Sequence, residues 1–199
     1  IDALRKASRI TGAAYLKILK MLRPGIYEYE IEAEMIREFT AAGAEGHAFP
    51  PIVASGKNAC TLHYTENASR CKDGELVLID FGADYGYYAG DCSRTLPVNG
   101  RYSEFQTSYY QAVLDVYKQV MPEFKPGTSI DALNSLADRI MEEVLLDRGI
   151  LELKEVRQQS KELPAFKKYF MHGLSHFIGL DVHDTGDRER LLEPNMVLS

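Results

Sequence analysis

The sequence has 199 residues, 45% of them hydrophobic, and a formal net charge of −6 at pH 7. This length supports one sizeable core, and no stretch approaches the roughly 18 apolar residues of a membrane-spanning helix. The acidic balance, without any run of lysine and arginine, argues against nucleic acid as the main partner. We therefore expect a globular protein that binds neither a membrane nor nucleic acid.

Apolar residues at helical spacing predict four helices, over residues 2–22, 28–42, 104–121 and 129–147. A Pro-Gly sequence separates the two helices of each pair, Pro24-Gly25 in the first and Pro126-Gly127 in the second. This order predicts an internal repeat within one domain, with half-repeats of about 1–100 and 101–199.

The segments that follow the two helix pairs are also alike. LHYTENASRCKDGELVLID follows the first, and VHDTGDRERLLEPNMVLS follows the second after a charged excursion over residues 147–170. Each has a histidine, a threonine two residues later, a polar turn and an apolar strand, so His63 corresponds to His183. Aligning Pro194-Asn195 with Asp73-Gly74 places the counterpart of Asp80 just beyond the last residue of the sequence.

Two aspartates lie in predicted strands. Asp80 ends the apolar strand over residues 75–80, and Asp91 lies in a second strand over residues 87–95. If Tyr85-Gly86 is a two-residue turn, Asp80 is directly opposite Asp91, with Cβ atoms roughly 4.5 to 5.5 Å apart. Two carboxylates at that distance repel each other unless a cation lies between them, so the pair predicts a metal site.

Three of the five histidines occur in HGLSHFIGLDVHD, residues 172–184. His172 and His176 would share a face of a helix, as in zinc proteases, but Gly173 replaces the glutamate that such a helix needs. The residues from Gly179 onwards favour a strand or loop. A single aspartate more often caps a turn, and a single histidine more often lies in the core. The repeated histidine and the paired aspartates together favour a site for Mn²⁺, Co²⁺, Fe²⁺ or Zn²⁺.

The remaining histidine and the cysteines are interpreted as structural. His47 follows Gly46 and is predicted to be a surface or loop residue. The three cysteines are odd in number and lack CxxC spacing, so we expect reduced thiols buried as small hydrophobic residues: Cys60, Cys71 and Cys92. Reduced thiols indicate a cytoplasmic protein.

Three stretches closely resemble the aminopeptidase P branch of the "pita-bread" metallopeptidases, the family that includes prolidase and the methionine aminopeptidases: SGKNACTLHYTEN, DGELVLIDFGADYGYYAGDCSRT and HGLSHFIGLDVHDTG. The resemblance implies an α+β pita-bread fold with a pseudo-twofold repeat of helices and strands, here truncated at its C-terminus. It also implies hydrolysis of the N-terminal residue from peptides with proline second, with two divalent metal ions, usually Mn²⁺.

The resemblance assigns roles to individual residues. Asp80 would bind one metal, Asp91 would bridge both, and His176 would bind the other. His63 and His183 would hydrogen-bond the substrate carbonyl or the oxyanion of the tetrahedral intermediate. His172 matches a position near the pocket that receives proline.

The family's N-terminal domain and two further glutamate ligands lie outside these 199 residues. We therefore expect the 199-residue chain alone to fold as most of both half-repeats, to hold no metal pair and to show no peptidase activity.

The expected partner is a peptide beginning with Xaa-Pro, and the resemblance leaves a homo-oligomer of the full-length protein open. Prolidase, which cleaves Xaa-Pro dipeptides, is the nearest alternative. A non-catalytic binding module of this fold and metal-free, creatinase-like chemistry are disfavoured by the retention of Asp80, Asp91 and His176.

Overall fold

The computed structural model describes residues 1–160 and 162–199. They form two compact units. The first consists of Ile1–Ser103, Phe177–Thr185 and Val197–Ser199, and the second of Glu104–His176 and Gly186–Met196. The first unit thus contains the expected first half-repeat and two short segments from the end of the chain. The assignment to a single domain stays a prediction.

The first unit combines two helices with short antiparallel strands. Its helices are α1 (Asp2–Met21) and α2 (Glu28–Ala41), and a 3-10 helix covers Gly56–Cys60. Its strands are β1 (Gly46–His47), β2 (Ile52–Ser55), β3 (Leu76–Phe81), β4 (Ala83–Tyr85), β5 (Tyr88–Ala89) and β6 (Cys92–Pro97). The strands form two sheets, in the orders β2-β3-β6 and β1-β4-β5.

One face of strand β3 packs into the hydrophobic core, and the other face carries Asp80. Val77, Ile79 and Phe81 are fully buried, and they join a hydrophobic cluster with residues of α1 and α2 that include Ile10, Ile18, Ile31, Met35 and Phe39. Because successive side chains of a strand point to opposite faces, Asp80 faces away from this cluster.

The register of the ribbon that carries the two aspartates differs from the prediction. The turn is Gly86-Tyr87, with φ values of 60° and 65°, rather than Tyr85-Gly86. Tyr85 therefore pairs with Tyr88, and Asp80 pairs with Ser93 rather than with Asp91. The physical reason is that this turn needs positive φ at both central residues, and the chain satisfies it with glycine first and Tyr87 second.

Two glycines allow the strands to approach closely where the ribbon passes from one sheet to the other. A Cβ on Gly82 would lie 1.8 Å from the carbonyl oxygen of Gly90, and a Cβ on Gly90 would lie 2.6 Å from Thr11 Oγ1. Thr11 Oγ1 accepts the backbone N–H of Ala83 at 3.0 Å and donates to the Ala7 carbonyl at 2.9 Å. These contacts attach α1 to the ribbon beside Asp91.

The described part of the second unit is helical. It contains α3 (Glu104–Val120), α4 (Ile130–Asp147), the short helix α5 (Leu153–Gln158) and 3-10 helices at Met121–Glu123 and Ala165–Lys168. Its buried residues include Val116 and Val120 of α3 and Leu133, Ile140 and Leu145 of α4. All four predicted long helices are confirmed to within one residue at each end.

The two Pro-Gly turns share one pattern of backbone hydrogen bonds, as the sequence repeat predicts. The Gly25 N–H donates to the Cys71 carbonyl at 2.8 Å, and the Cys71 N–H donates back to Ile26 at 2.8 Å. In the second unit the Gly127 N–H donates to Leu192 at 2.9 Å, and the Leu192 N–H donates to Thr128 at 2.7 Å. Gly74 and Asn195, which the alignment made equivalent, have φ values of 78° and 75°.

The thiols differ in exposure. Cys71 is buried and Cys92 is half-buried, but Cys60 is exposed, so the prediction that all three are buried is wrong for Cys60. Its position at the end of the 3-10 helix leaves it outside the core. None of the helices in the described residues is both long and apolar enough to span a membrane.

Candidate metal centre

Asp80 is a partly buried carboxylate that lies among other charged groups of the first unit. Ser93 Oγ donates a hydrogen bond to Asp80 Oδ1 at 2.6 Å. Burial raises the pKa of Asp80 and is the largest cause of the shift; Asp91 raises it further, while Ser93, His183 and His63 lower it. Four of the six predicted site residues therefore lie in one electrostatic neighbourhood.

Asp91 immediately precedes β6 and lies on the same face of the ribbon as Asp80. It is two residues before Ser93, the partner of Asp80, so the two carboxylates are diagonal neighbours. In a diagonal pair the Cα atoms are roughly 7 to 8 Å apart. The Gly90 N–H donates to the Ala83 carbonyl at 2.7 Å and thereby fixes the backbone just before Asp91.

His183 lies in a loop that is attached to β5. The Ala89 N–H donates to the Gly179 carbonyl at 2.9 Å. Asp184 fastens the loop from within, because its carboxylate accepts the N–H groups of Leu180 at 3.0 Å and of Thr185 at 2.7 Å. The loop has no helix, which confirms the prediction that residues from Gly179 onwards form a strand or loop.

His63 is exposed and follows the 3-10 helix Gly56–Cys60. Its φ is 52°, in the left-handed region that a residue with a Cβ adopts uncommonly. The next residue, Tyr64, is only 9% exposed. The backbone at His63 is therefore held in a specific conformation beside a buried anchor.

His172 and His176 lie in one loop of the second unit. The loop is held by the Leu174 N–H, which donates to Asn134 Oδ1 at 2.7 Å, and by Arg188, which donates to the Ser175 carbonyl at 3.1 Å. Asp131 in turn accepts from Arg188 Nε at 2.9 Å. Here too the histidines are not on a helix, in agreement with the rejection of a zinc-protease helix.

Among residues 1–160 and 162–199, no group of three or more histidine, cysteine, aspartate or glutamate side chains is arranged to hold a metal ion. The fit to a metal therefore rests on the donor chemistry of the first unit. A desolvated carboxylate with a second carboxylate beside it is destabilised in the absence of a cation. Asp80 and Asp91 meet that description, so they fit a divalent metal.

His47 is not the surface or loop residue that the sequence predicted. It lies in β1, its ring contacts Phe39 edge-on with centroids 5.1 Å apart, and both ring nitrogens are buried without a hydrogen-bond partner in the described structure. Burial lowers its pKa, and Glu32 opposes this shift. The error arose because the adjacent Gly46 suggested a loop, whereas strand pairing with Ala83 carries the imidazole inwards.

Sequence reasoning missed Ser93, which donates a hydrogen bond to Asp80, and Asp184, which holds the loop of His183 together. The alternation of Asp91 and Ser93 along a strand could have indicated that both share a face with Asp80. Nothing in the sequence near Asp184 distinguishes it from an ordinary loop aspartate.

Two neighbouring carboxylates with histidines in the same electrostatic neighbourhood are the kind of donor set that binds divalent metals. The chain belongs to metallopeptidase family M24, whose family model matches residues 2–199.

Proteins named Xaa-Pro aminopeptidase are close relatives. The one from Escherichia coli K12 is 44% identical over 100% of this chain and 46% of its own length. Xaa-Pro aminopeptidase 3 from Homo sapiens is 35% identical over 100% of this chain and 39% of its own length. The chain thus spans less than half the length of these curated relatives.

Solved structures confirm the predicted pita-bread fold. A zinc-substituted E. coli aminopeptidase P in complex with product matches with a TM-score of 0.92 and 44% identity, over 99% of this chain and 45% of that one. Proline aminopeptidase P II from Yersinia pestis also matches with a TM-score of 0.92, at 43% identity over 99% of this chain and 46% of that one.

Proposed function

We propose that the full-length protein is an Xaa-Pro aminopeptidase, which hydrolyses the N-terminal residue from peptides with proline in second position. Membership of family M24 and the names of the relatives support this proposal. The observation that carries it is the pair of carboxylates, Asp80 and Asp91, on one face of the ribbon with His63 and His183 in the same electrostatic neighbourhood.

Asp80, Asp91 and His176 are the proposed metal ligands, with Asp91 bridging two ions. Carboxylate oxygens with one imidazole suit Mn²⁺, the metal we propose, although Co²⁺, Fe²⁺ and Zn²⁺ also accept such ligands. When bound, a metal pair supplies a water of lowered pKa and polarises the scissile carbonyl.

We propose that His63 and His183 stabilise the transition state of the hydrolysis. An imidazole N–H that donates to the substrate carbonyl stabilises the negative charge that develops on its oxygen during hydrolysis. Both side chains are exposed, so each is accessible to a peptide. We assign His172, which is exposed as well, to the proline end of the substrate.

The proposal includes the cytoplasm as the compartment, because Cys60, Cys71 and Cys92 are all free thiols and reduced cysteines are typical of reducing compartments.

The test uses the full-length protein loaded with Mn²⁺ and a set of matched peptides. We expect release of the first residue from Xaa-Pro-Yaa tripeptides and little release from Xaa-Ala-Yaa controls. Cleavage of Xaa-Pro dipeptides alone would instead identify a prolidase. Cleavage of Xaa-Ala-Yaa without cleavage of Xaa-Pro-Yaa would contradict the proline specificity.

A further inference from the structure

Glu28, the first residue of α2, is a fully buried carboxylate that the proposed reaction does not use. Its two oxygens accept five hydrogen bonds. Oε1 accepts from Ser55 N and Oγ at 2.7 Å each and from Asn58 Nδ2 at 3.1 Å, and Oε2 accepts from Tyr64 OH and Ser69 N at 2.8 Å each. No lysine or arginine forms an ion pair with it among the described residues. Neutral donors therefore stabilise the charge.

The folded state favours the ionised form of this carboxylate. Burial raises the pKa of Glu28, but hydrogen bonds from Ser55, Ser69 and Tyr64 lower it by more, and its pKa lies below its usual value. The start of a helix adds to this preference, because the helix dipole stabilises negative charge there.

The fold does not require an acid at this position. Ile130 occupies the equivalent place in the second unit, two residues after Thr128 as Glu28 is two residues after Ile26, and Ile130 is also fully buried. An apolar residue thus suffices to begin the helix and fill the core. Burying a carboxylate instead costs free energy unless every oxygen is hydrogen-bonded, so Glu28 needs a separate explanation.

The donors to Glu28 supply that explanation, because they flank His63. Ser55 and Asn58 precede it, while Tyr64 and Ser69 follow it. Asn58 Nδ2 also lies 3.1 Å from Tyr64 OH and 2.9 Å from Ser69 Oγ, which links both sides of the loop.

The loop has little regular secondary structure to hold it. Its C-terminal part is also anchored by Asn67, whose Oδ1 accepts from Val53 N at 2.8 Å and whose Nδ2 donates to the Pro51 carbonyl at 3.0 Å, whereas Tyr64 is the anchor next to His63. Between the 3-10 helix Gly56–Cys60 and β3, the described secondary structure is limited to turns and one isolated bridge. Tyr64, whose backbone adjoins that of His63, reaches Glu28 through its hydroxyl.

We propose that Glu28 is a positioning residue, which acts through Tyr64 to hold His63 in place for the hydrolytic reaction. This inference rests on the proposed function of His63 and goes beyond it by assigning the buried group that fixes its backbone. The loss of Glu28 or of the Tyr64 hydroxyl would leave the His63 side chain intact but less precisely placed, and small displacements of a catalytic group lower kcat.

The test is a double-mutant cycle on the full-length, Mn²⁺-loaded protein. We expect Tyr64→Phe to lower kcat roughly 5- to 10-fold, because a less precisely placed catalytic group reacts more slowly, with metal content unchanged. In a His63→Ala background the same change should alter kcat less than about 2-fold, because no imidazole remains to be positioned. Glu28→Gln should follow the same pattern.

Tyr102→Phe is the matched control. The Tyr102 hydroxyl donates to the Thr95 carbonyl at 2.8 Å, the same length as the bond from Tyr64 to Glu28, but it lies outside the loop of His63. We expect this variant to retain wild-type kcat. Either of two results would overturn the positioning role. One is a loss of kcat in Tyr102→Phe as large as that in Tyr64→Phe. The other is a Tyr64→Phe effect on kcat that is equally large in the wild-type and His63→Ala backgrounds.

Hydrogen exchange separates failure of this inference from failure of the proposed function. Tyr64→Phe should speed amide exchange in peptides spanning residues 61–66, whereas Tyr102→Phe should not. Unchanged exchange there would refute the role of Glu28 even if His63 is essential. If His63→Ala retains full activity, the role assigned to His63 is wrong, and the positioning role of Glu28 is overturned with it.

Discussion

Asp80 on β3 lies directly across the sheet from Ser93 on β6, and the Ser93 hydroxyl donates to Asp80 Oδ1 at 2.6 Å. This bond orients one carboxylate of the pair. It also places Asp91 diagonally rather than directly opposite, because Asp91 is two residues before Ser93. A diagonal pair is wider than a directly opposed one.

Asp91→Asn should abolish binding of the second metal in the full-length protein. A bridging ligand needs two anionic oxygens, whereas an amide offers one neutral acceptor and two donors. Metal content by elemental analysis, together with Xaa-Pro cleavage, measures the effect. Two retained metals with activity near wild type would show that Asp91 does not bridge them.

His183→Ala should leave the metal content intact and lower kcat roughly 10²- to 10³-fold, the usual cost of removing one oxyanion donor. Because His183 is exposed, we expect little change in stability. Steady-state kinetics with a parallel metal determination checks this prediction. A variant that loses its metals would instead identify His183 as a ligand.

The sequence correctly predicted that Asp80 and Asp91 lie on one face of the ribbon, but the predicted strand register was wrong. Moving the turn from Tyr85-Gly86 to Gly86-Tyr87 shifts each cross-strand partner by two residues, and a shift of two keeps a side chain on the same face. The error was in the turn itself, because Tyr87 adopts a φ of 65° that sequence rules assign to glycine, asparagine or aspartate.

The role of Glu28 could not be predicted from the sequence. A glutamate at the start of a helix normally lies at the surface, where its negative charge interacts favourably with the helix dipole. Its burial becomes apparent only when its partners are known, and Ser55 and Ser69 are 27 and 41 residues away along the chain. The long helices were predictable because their apolar spacing is a local property.

Gly82→Ala should destabilise the protein by at least about 2 kcal/mol, because overpacking a close backbone approach displaces the strands. The added Cβ would lie 1.8 Å from the Gly90 carbonyl oxygen. Gly12→Ala is the matched control, since Gly12 lies within α1 with no neighbouring atom within 4 Å of the added Cβ. It should stabilise the protein by roughly 0.5–1 kcal/mol.

Denaturant unfolding of the two glycine variants gives both free energies. Equal stability of Gly82→Ala and wild type would show that the strands do not approach as closely as described.

His47→Leu should raise stability, increasingly so as the pH falls. Burial lowers the pKa of His47 below its ordinary value of 6.5, so at acid pH the unfolded chain binds a proton that the folded chain resists. The stability of the wild type therefore falls as the pH decreases through 6.5, and the leucine variant lacks this loss. Both ring nitrogens are buried without a partner in the described structure, which favours leucine at neutral pH as well.

Free energies of unfolding between pH 7.5 and pH 5 measure the effect, with the exposed His172→Leu as a control for the loss of an imidazole. A constant difference between His47→Leu and wild type across this range would contradict the lowered pKa.

The most direct test of the central claim is anomalous diffraction at the manganese edge from crystals of the full-length protein grown with Mn²⁺. The account predicts two anomalous peaks roughly 3.5–4 Å apart, with the Asp91 carboxylate bridging them, Asp80 on one ion and His176 on the other. An absence of peaks at these side chains, or two well-occupied ions held by other residues, would contradict it.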